Sequence, residues 1–297
     1  MIKIIDTYLQ FDSVFENGIF SLAKWEFYIN TLYDGASNIL IDDMKSANYE
    51  YEKDVLPIIN DVYRHPALMT LHSSFCNVTD DLNLKIVERF GHELDIDIVL
   101  YIGLCSAAGW VTNINGRDVI LLGIEKILEL NWYDEDSMRG LIYHELGHIY
   151  HKQYGVYNQH SDNSKRNFVW QLFTEGIAMY FEQALVDNFN YYHQDKNGWL
   201  EWCDNHYQQI RADFDSDLQT MTRTNQRFFG DWVSYNGKGD VGYYLGTRFV
   251  QQLCDKYDFQ HLINLEIDDI FQEYLSFTKM NSHLRYFKGF NNGYILL

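Results

Sequence analysis

The sequence is poor in several features that mark particular classes of protein. Only 2 of its 297 residues are proline, which favours long helices over a fold dominated by loops. The four cysteines, Cys76, Cys105, Cys203 and Cys254, are widely spaced and form no C-x-x-C pair. They therefore indicate neither a disulfide framework nor a thiolate zinc site, and we expect buried, reduced thiols.

Positive charge and long apolar runs are also scarce. The chain has 23 Lys and Arg against 42 Asp and Glu, a formal charge of −19, and no basic run, so we expect binding neither to nucleic acid nor to anionic lipid. No stretch of about 18 apolar residues occurs, and Asp6 interrupts the region where a signal peptide needs a continuous apolar core. These absences predict a cytoplasmic protein that does not contact the membrane. They leave the oligomeric state open.

The composition supports a substantial hydrophobic core, because 46% of the residues are hydrophobic and 16% are aromatic. Helical spacing of apolar residues dominates residues 1–96, with a short strand possible within 2–11. Strands and two helices are predicted in 97–186, and further helices in 187–297, after a polar loop at 187–198. We expect one compact α+β unit, mostly helical with a small mixed β-sheet.

Two apolar runs, residues 97–102 and 118–122, are typical of strands, and Asn115-Gly116 between them is a turn signal. We expect these strands to pair. Residues 138–154 then run without proline to Gly155 and predict a helix. A second helix is predicted over residues 165–186.

The first of these helices carries the sequence His144-Glu145-Leu146-Gly147-His148, here called the HExxH motif. Residues four apart lie on one face of a helix, so His144 and His148 can offer imidazole nitrogens to one ion, with Glu145 beside a water on that ion. Zinc accepts such ligands and in catalytic sites uses three from the protein, leaving one position for water. The motif therefore predicts a catalytic Zn²⁺ site.

The third ligand separates the subclasses of such enzymes. Metzincins place a histidine ten positions after the first, where this chain has Tyr154. His151 lies near the same helical face, but three successive turns of a straight helix do not easily converge on one small ion. We expect His151 beside the ligands or at the rim of the site. Glu175 is the better candidate, because the second helix can lay its carboxylate against the first.

The HExxH motif together with Glu175-Gly176-Ile177-Ala178 resembles the gluzincin metallopeptidases. Within them, the closest resemblance is to a family of uncharacterised bacterial proteins described as predicted zinc-dependent proteases, over roughly residues 97–274. The resemblance implies a zincin-like fold, with the sheet preceding the zinc-binding helix, and Glu175 as the third zinc ligand.

A downstream segment extends this resemblance. Gly242-Tyr243-Tyr244-Leu245-Gly246 is similar to the tyrosine helix of gluzincin peptidases, in which a tyrosine stabilises the oxyanion. The resemblance gives that role to Tyr243, and the adjacent Tyr244, about 100° round the helix, stays an alternative.

The chain also departs from better-known relatives. It has no Gly-x-Met-Glu-Asn exopeptidase segment before the motif, so anchoring of a free substrate amine is not supported. Thermolysin-like enzymes have an aspartate four positions after the third ligand, where this chain has Met179. The partner of a ligand imidazole must come from elsewhere, and Glu182 is either that partner or a surface carboxylate. The other histidines, among them His72 and His193, lack ligand spacing and are expected to be structural or on the surface.

The expected function is hydrolysis of peptide bonds in peptides or unfolded protein segments, through a zinc-activated water with Glu145 as general base. An extended substrate would add as a strand to residues 118–122 or 109–113. Two alternatives remain open. One is a zincin-fold binding or regulatory protein with little or no turnover, and the other is a hydrolase of non-peptidic amides.

Overall fold

The computed structural model describes residues 1–46, 49–230 and 233–279. Within these ranges the α-helices are α1 (Leu22–Leu32), α2 (Ala36–Ser46), α3 (Leu56–Val62), α4 (Leu68–Thr79), α5 (Leu82–Phe90), α6 (Ile124–Glu129), α7 (Glu135–Tyr154), α8 (Ser164–Val186), α9 (Trp199–Asp217), α10 (Val241–Leu253), α11 (Phe259–Leu262) and α12 (Ile267–Lys279). The strands are β1 (Lys3–Asp6), β2 (Phe15–Glu16), β3 (Ile19–Phe20), β4 (Asp97–Tyr101), β5 (Gly109–Ile114) and β6 (Arg117–Gly123). The architecture is α+β, mostly helical with a small mixed sheet, as predicted. The predicted C-terminal region extends beyond these ranges, since residues 280–297 lie outside the described part of the chain.

Four strands form the main sheet in the order β1-β4-β6-β5. The first three are parallel, and β5 is antiparallel to β6. All five residues of β4 are buried, which explains its nearly continuous apolar sequence, because the inner strands of a parallel sheet are covered on both faces. At one edge, β5 is mostly half-buried and pairs with β6 alone among the described strands.

The predicted pairing of residues 97–102 with 118–122 is confirmed, but these strands do not form a hairpin. They are the parallel neighbours β4 and β6. The turn at Asn115-Gly116 instead joins β5 to β6, and both of its residues have positive φ, 54° and 82°, as a tight two-residue hairpin turn requires. Because β6 has a partner on each side, it offers no free edge to an added strand.

The N-terminal region is built into the same sheet. Strand β1 pairs with β4 in parallel, with Ile4 opposite Ile98. One connected core of buried side chains includes Trp25, Ile98 and Phe249, one from each of the three predicted regions. The described chain packs around this shared core.

Helix α7, which carries the HExxH motif, begins at a well-formed N-cap. The Asp134 carboxylate accepts hydrogen bonds from the Ser137 backbone N–H at 2.9 Å and from its hydroxyl at 2.8 Å. Glu135 and Asp136 in the first turn both pair with Arg139 and complement the positive end of the helix dipole. These local interactions explain why the helix starts three residues before the predicted residue 138.

Helix α8 packs between α7 and α10, and glycines set how closely the three helices approach. A Cβ atom at Gly147 of α7 would lie 2.6 Å from the Cα of Ala178 on α8. A Cβ at Gly176 of α8 would lie 2.3 Å from the carbonyl oxygen of Gly246 on α10. Both contacts exclude any side chain, so the glycines inside the motifs bring the three backbones together.

Among residues 1–46, 49–230 and 233–279, no helix combines the length and apolar character needed to cross a membrane.

Candidate functional site

The two histidines of the HExxH motif and Glu175 converge across the contact between α7 and α8. The Nε2 atoms of His144 and His148 each lie 3.2 Å from Oε2 of Glu175. The two imidazole rings are nearly perpendicular, with centroids 4.8 Å apart. The side chains are 10% exposed for His144, 15% for His148 and 17% for Glu175, so the cluster is largely shielded but reachable from solvent.

These three donors fit a zinc ion. Ligand atoms about 2 Å from a tetrahedral ion are about 3.3 Å from one another, close to the separations of 3.2 Å from each histidine to Glu175. Two imidazoles and one carboxylate also form a donor set that zinc accepts in catalytic sites. In contrast to most zinc histidines, His144 and His148 have buried Nδ1 atoms with no hydrogen-bond partner in the described residues.

Electrostatics keep the Glu175 carboxylate ionised. Burial alone raises its pKa, but the charges and hydrogen bonds of His148 and His144 outweigh burial and lower the pKa well below its ordinary value. Burial lowers the pKa of the His148 imidazole. The charge and hydrogen bond of Glu175, with a further contribution from the charge of Glu145, outweigh burial and raise it.

Glu145 is half-buried on α7, about 100° round the helix from His144. Its negative charge contributes to the raised pKa of His148 and to the raised pKa of Tyr157, which follows the end of α7. Burial, together with Glu175 and Glu145, raises the pKa of Tyr157 to about 12. The Tyr157 ring lies 6.1 Å from that of His148. Tyr157 is therefore a phenol donor near the cluster, and no sequence motif indicated it.

The two adjacent tyrosines of α10 have different surroundings. The ring of Tyr243 lies 5.5 Å from that of His144 and 5.9 Å from that of Phe229. Tyr244 is fully buried, and its hydroxyl donates a hydrogen bond to Asp204 at 2.6 Å. Only Tyr243 of the two therefore contacts a residue of the HExxH motif in the described structure.

A second histidine–carboxylate pair lies beside the cluster. Glu182 of α8 is fully buried, and its oxygens lie 2.9 and 3.0 Å from Nδ1 of His193. The ring centroid of His193 is 5.9 Å from that of His144. Burial lowers the pKa of His193, but the charge and hydrogen bond of Glu182, followed by the charge of Asp240, raise it.

This pair corrects the expectation for Glu182. Glu182 is neither the partner of a ligand imidazole nor a surface carboxylate, because it has no solvent exposure and its oxygens bind His193, whose side chain is 25% exposed. His193 lies in the polar segment 187–198, which was predicted as a loop between lobes. At His193 this segment packs against α7. Gly140 leaves space for it, since a Cβ at Gly140 would lie 2.5 Å from Cγ of His193. Gly140 lies four residues before His144, on the same face of α7. A glycine at this position is the local sequence feature that permits the close contact with His193.

The sequence suggested that His151 lies beside the ligands or at the rim of the site. The structure does not place it at the rim. It is fully buried, outside the donor group, and packs against the rings of Tyr157, Trp170 and Phe173 at 5.3 to 5.9 Å. Neither ring nitrogen has a hydrogen-bond partner of good geometry in the described residues, although the backbones of Ile263 and Val156 raise the pKa by less than burial lowers it. Burial, with a smaller effect of His148, lowers the pKa of His151 to about 3. This imidazole is therefore a neutral core side chain.

The cysteines also differ in part from expectation. All four are free thiols, as predicted, and Cys105 and Cys203 are buried. Cys254 is only partly buried and Cys76 is exposed.

Comparisons of the chain with protein-family models, with curated proteins and with solved structures found no match.

Proposed function

We propose that this protein is a zinc-dependent metallopeptidase with a zincin-like arrangement of the gluzincin kind. The observation that carries the proposal is the convergence of His144 and His148 on the Glu175 carboxylate, at 3.2 Å in each case, with Glu145 next along the helix. These atoms come from positions 27 and 31 residues apart, yet they meet at the spacing of ligands around one ion.

His144, His148 and Glu175 would hold the metal. The close approach of α7 to α8 at Gly147 supports this assignment, because the separation of the two helices sets the distance from the histidines to the carboxylate. A zinc ion in this position supplies Lewis acidity and an open position for water.

In this proposal Glu145 moves the proton. It accepts a proton from the water that attacks the scissile carbonyl and delivers it to the leaving amine as the C–N bond breaks. Its half-buried position and its influence on His148 and Tyr157 support a location at the open side of the cluster. A positioned general base of this kind contributes about 10²- to 10⁴-fold to the rate.

Tyr243 donates a hydrogen bond to the carbonyl oxygen as negative charge develops on it. Its ring contact with His144, and the sequestration of Tyr244 by Asp204, favour Tyr243 for this role. Tyr157 is a second phenol of the same chemistry, and its raised pKa keeps the hydroxyl protonated and able to donate. Separate phenylalanine substitutions of Tyr243, Tyr244 and Tyr157 test which hydroxyl stabilises the oxyanion.

The substrate class proposed is a peptide or an unfolded protein segment, and β5 is the strand that can receive it. Among the described strands β5 pairs only with β6, so its other edge has backbone groups available for an extended chain. Gly109, at the start of β5, lies against Leu141, one turn before His144 on α7. The absence of disulfides among the four thiols supports a cytoplasmic location.

Metal analysis and a peptide-library cleavage assay on the wild type and on Glu145→Gln test the proposal. We expect zinc in both proteins, with cleavage reduced about 10²- to 10⁴-fold in the variant. Glu88→Gln, at an exposed carboxylate of α5, is the matched control and should cleave normally. Glu175→Ala should lose the zinc of this site.

Three other outcomes of these assays would contradict the proposal. Zinc binding with no cleavage by either protein would favour a binding or regulatory role. Cleavage of non-peptidic amides without cleavage of peptides would favour the amide hydrolase. Undiminished cleavage by Glu145→Gln would remove the proposed mechanism.

A further inference from the structure

A second cluster of potential metal ligands lies in the N-terminal part of the fold. Asp6 is the last residue of β1, and His72 and Cys76 lie one turn apart on α4. Nε2 of His72 is 2.6 Å from Oδ2 of Asp6 and 3.5 Å from Sγ of Cys76. All three donor atoms lie within 4.8 Å of one another. Among the described residues, only this group and the cluster of His144, His148 and Glu175 bring three such atoms together.

The geometry distinguishes this cluster from a catalytic Cys-His-Asp triad. In a triad the histidine uses one ring nitrogen for the nucleophile and the other for the carboxylate. Here both Asp6 and Cys76 face the same nitrogen, Nε2 of His72. Three donor atoms gathered within 4.8 Å of one another match the ligand shell of an ion better than a proton relay.

The neighbouring backbone and ring hold this arrangement in place. The other carboxylate oxygen of Asp6, Oδ1, accepts a hydrogen bond from the backbone N–H of Tyr8 at 2.9 Å. The Tyr8 ring stacks on the His72 imidazole, with centroids 3.9 Å apart and planes within 5°. One residue thus fixes both the carboxylate and the imidazole, as residues around a metal site do for its ligands.

We propose that Asp6, His72 and Cys76 bind a divalent transition-metal ion, with Zn²⁺ the best match, at a site separate from the HExxH motif. Thiolate, imidazole and carboxylate together suit zinc, and three protein ligands leave a fourth position for water. The 3.5 Å between Nε2 of His72 and Sγ of Cys76 matches the separation of about 3.5 Å expected for an imidazole and a thiolate on one tetrahedral zinc ion. Asp6 and His72, now hydrogen-bonded at 2.6 Å, would move apart by about 0.7 Å to admit the ion. Binding displaces the S–H proton of Cys76 to solvent, and the proton between Nε2 of His72 and Asp6 moves to Nδ1 of the same ring or to solvent.

The position of the cluster suggests what the ion would do. Among the described strands, β1 is at an edge of the sheet and pairs only with β4. Helix α4 packs on α7, where Tyr143 donates a hydrogen bond to the carbonyl of Val78 at 3.2 Å. An ion shared by Asp6 and the two α4 residues would therefore clamp the edge strand to the helix that supports α7.

Cobalt substitution gives a specific readout, because only thiolate ligands produce an intense sulfur-to-cobalt charge-transfer absorption. The cluster of the HExxH motif contains no cysteine. Titration of the metal-free full chain with Co²⁺ should produce this absorption in the wild type and in Glu175→Ala. It should be absent in Cys76→Ser and present in Cys254→Ser, a control at a partly buried thiol. Its presence in Glu175→Ala makes the test independent of the proposed catalytic site.

A second measurement keeps the thiol intact. Zn²⁺ should slow alkylation of Cys76 at least about tenfold in the wild type, and this protection should vanish in His72→Ala. His92→Ala is the matched control, since His92 also stacks on a tyrosine, Tyr154, with centroids 4.5 Å apart, but belongs to neither donor group. No charge-transfer absorption in the wild type, or equal protection of Cys76 in wild type and His72→Ala, would overturn the proposal.

Discussion

The carboxylate of Glu182, which has no solvent exposure, holds Nδ1 of His193 at 2.9 Å and so fixes this imidazole beside His144. The pair joins α8 to the segment between α8 and α9. Because Nδ1 is engaged by Glu182, the other ring nitrogen of His193 is the one available to a substrate. We expect Glu182 to position His193, and His193 to contact the bound substrate.

Replacing Glu182 by glutamine removes the charge that orients His193. We predict that kcat/KM for a peptide substrate falls about 10- to 100-fold while the zinc content stays unchanged. The loss of a buried, charge-assisted hydrogen bond should also lower the free energy of unfolding by about 1–3 kcal/mol. Gly140→Ala should have the same kinetic effect, because its Cβ would displace the His193 ring. Normal kinetics in both variants would assign the pair a purely structural role.

The helix contact at Gly147 should control metal affinity. In Gly147→Ala the new methyl group would lie 2.6 Å from the Cα of Ala178, so α7 and α8 must separate. We predict weaker zinc binding by Glu175 and the two histidines, and a loss of about 1–3 kcal/mol in the free energy of unfolding. Gly239→Ala is the control, since a Cβ there meets no atom within 4 Å. The prediction fails if zinc affinity in Gly147→Ala equals that of the control.

His151 should make the fold sensitive to acid. Its pKa of about 3 in the folded state lies below the ordinary value of 6.5, so the unfolded chain binds the proton more tightly. Its contribution is fully present above pH 6.5 and is lost as the pH falls from 6.5 towards 3. Between pH 7 and 5 this amounts to about 2 kcal/mol.

Urea denaturation of the metal-free protein at pH 7 and pH 5 measures this effect. His151→Leu keeps an apolar side chain among Tyr157, Trp170 and Phe173 and removes the titrating group. We expect its stability to fall by about 2 kcal/mol less than that of the wild type over this pH range. An identical pH dependence of the two proteins would contradict a neutral, buried His151.

The three tyrosines near α7 and α10 should respond differently to loss of the hydroxyl. Tyr243→Phe should reduce kcat about 10²- to 10³-fold with zinc retained, as expected for an oxyanion donor. Tyr244→Phe should retain activity but lose about 1–3 kcal/mol of stability, because its 2.6 Å hydrogen bond to Asp204 disappears. A large kinetic effect in Tyr157→Phe and none in Tyr243→Phe would transfer the role to Tyr157.

Much of the local structure was predictable from the sequence. The acidic N-cap of α7, its end at Gly155 and the absence of proline gave the helix within three residues, since these signals act over one or two turns. The pairing of β4 with β6 was also predicted, from their apolar character. Their parallel direction was not, because the Asn115-Gly116 turn, which lies between β4 and β6 in the sequence, joins β6 to a third strand, β5.

The sequence by itself determined the spacing of His144 and His148 on one face of a helix and identified Glu175 as the third candidate ligand. Helical periodicity, however, gives directions only relative to each helix axis, and it does not say which element lies opposite. Tertiary packing therefore decided that Tyr243 rather than Tyr244 faces His144. It also decided that Glu182 holds His193 beside His144. It also brought Asp6 to His72 across 66 residues, a meeting set by the docking of β1 and α4 into the shared core rather than by any local pattern.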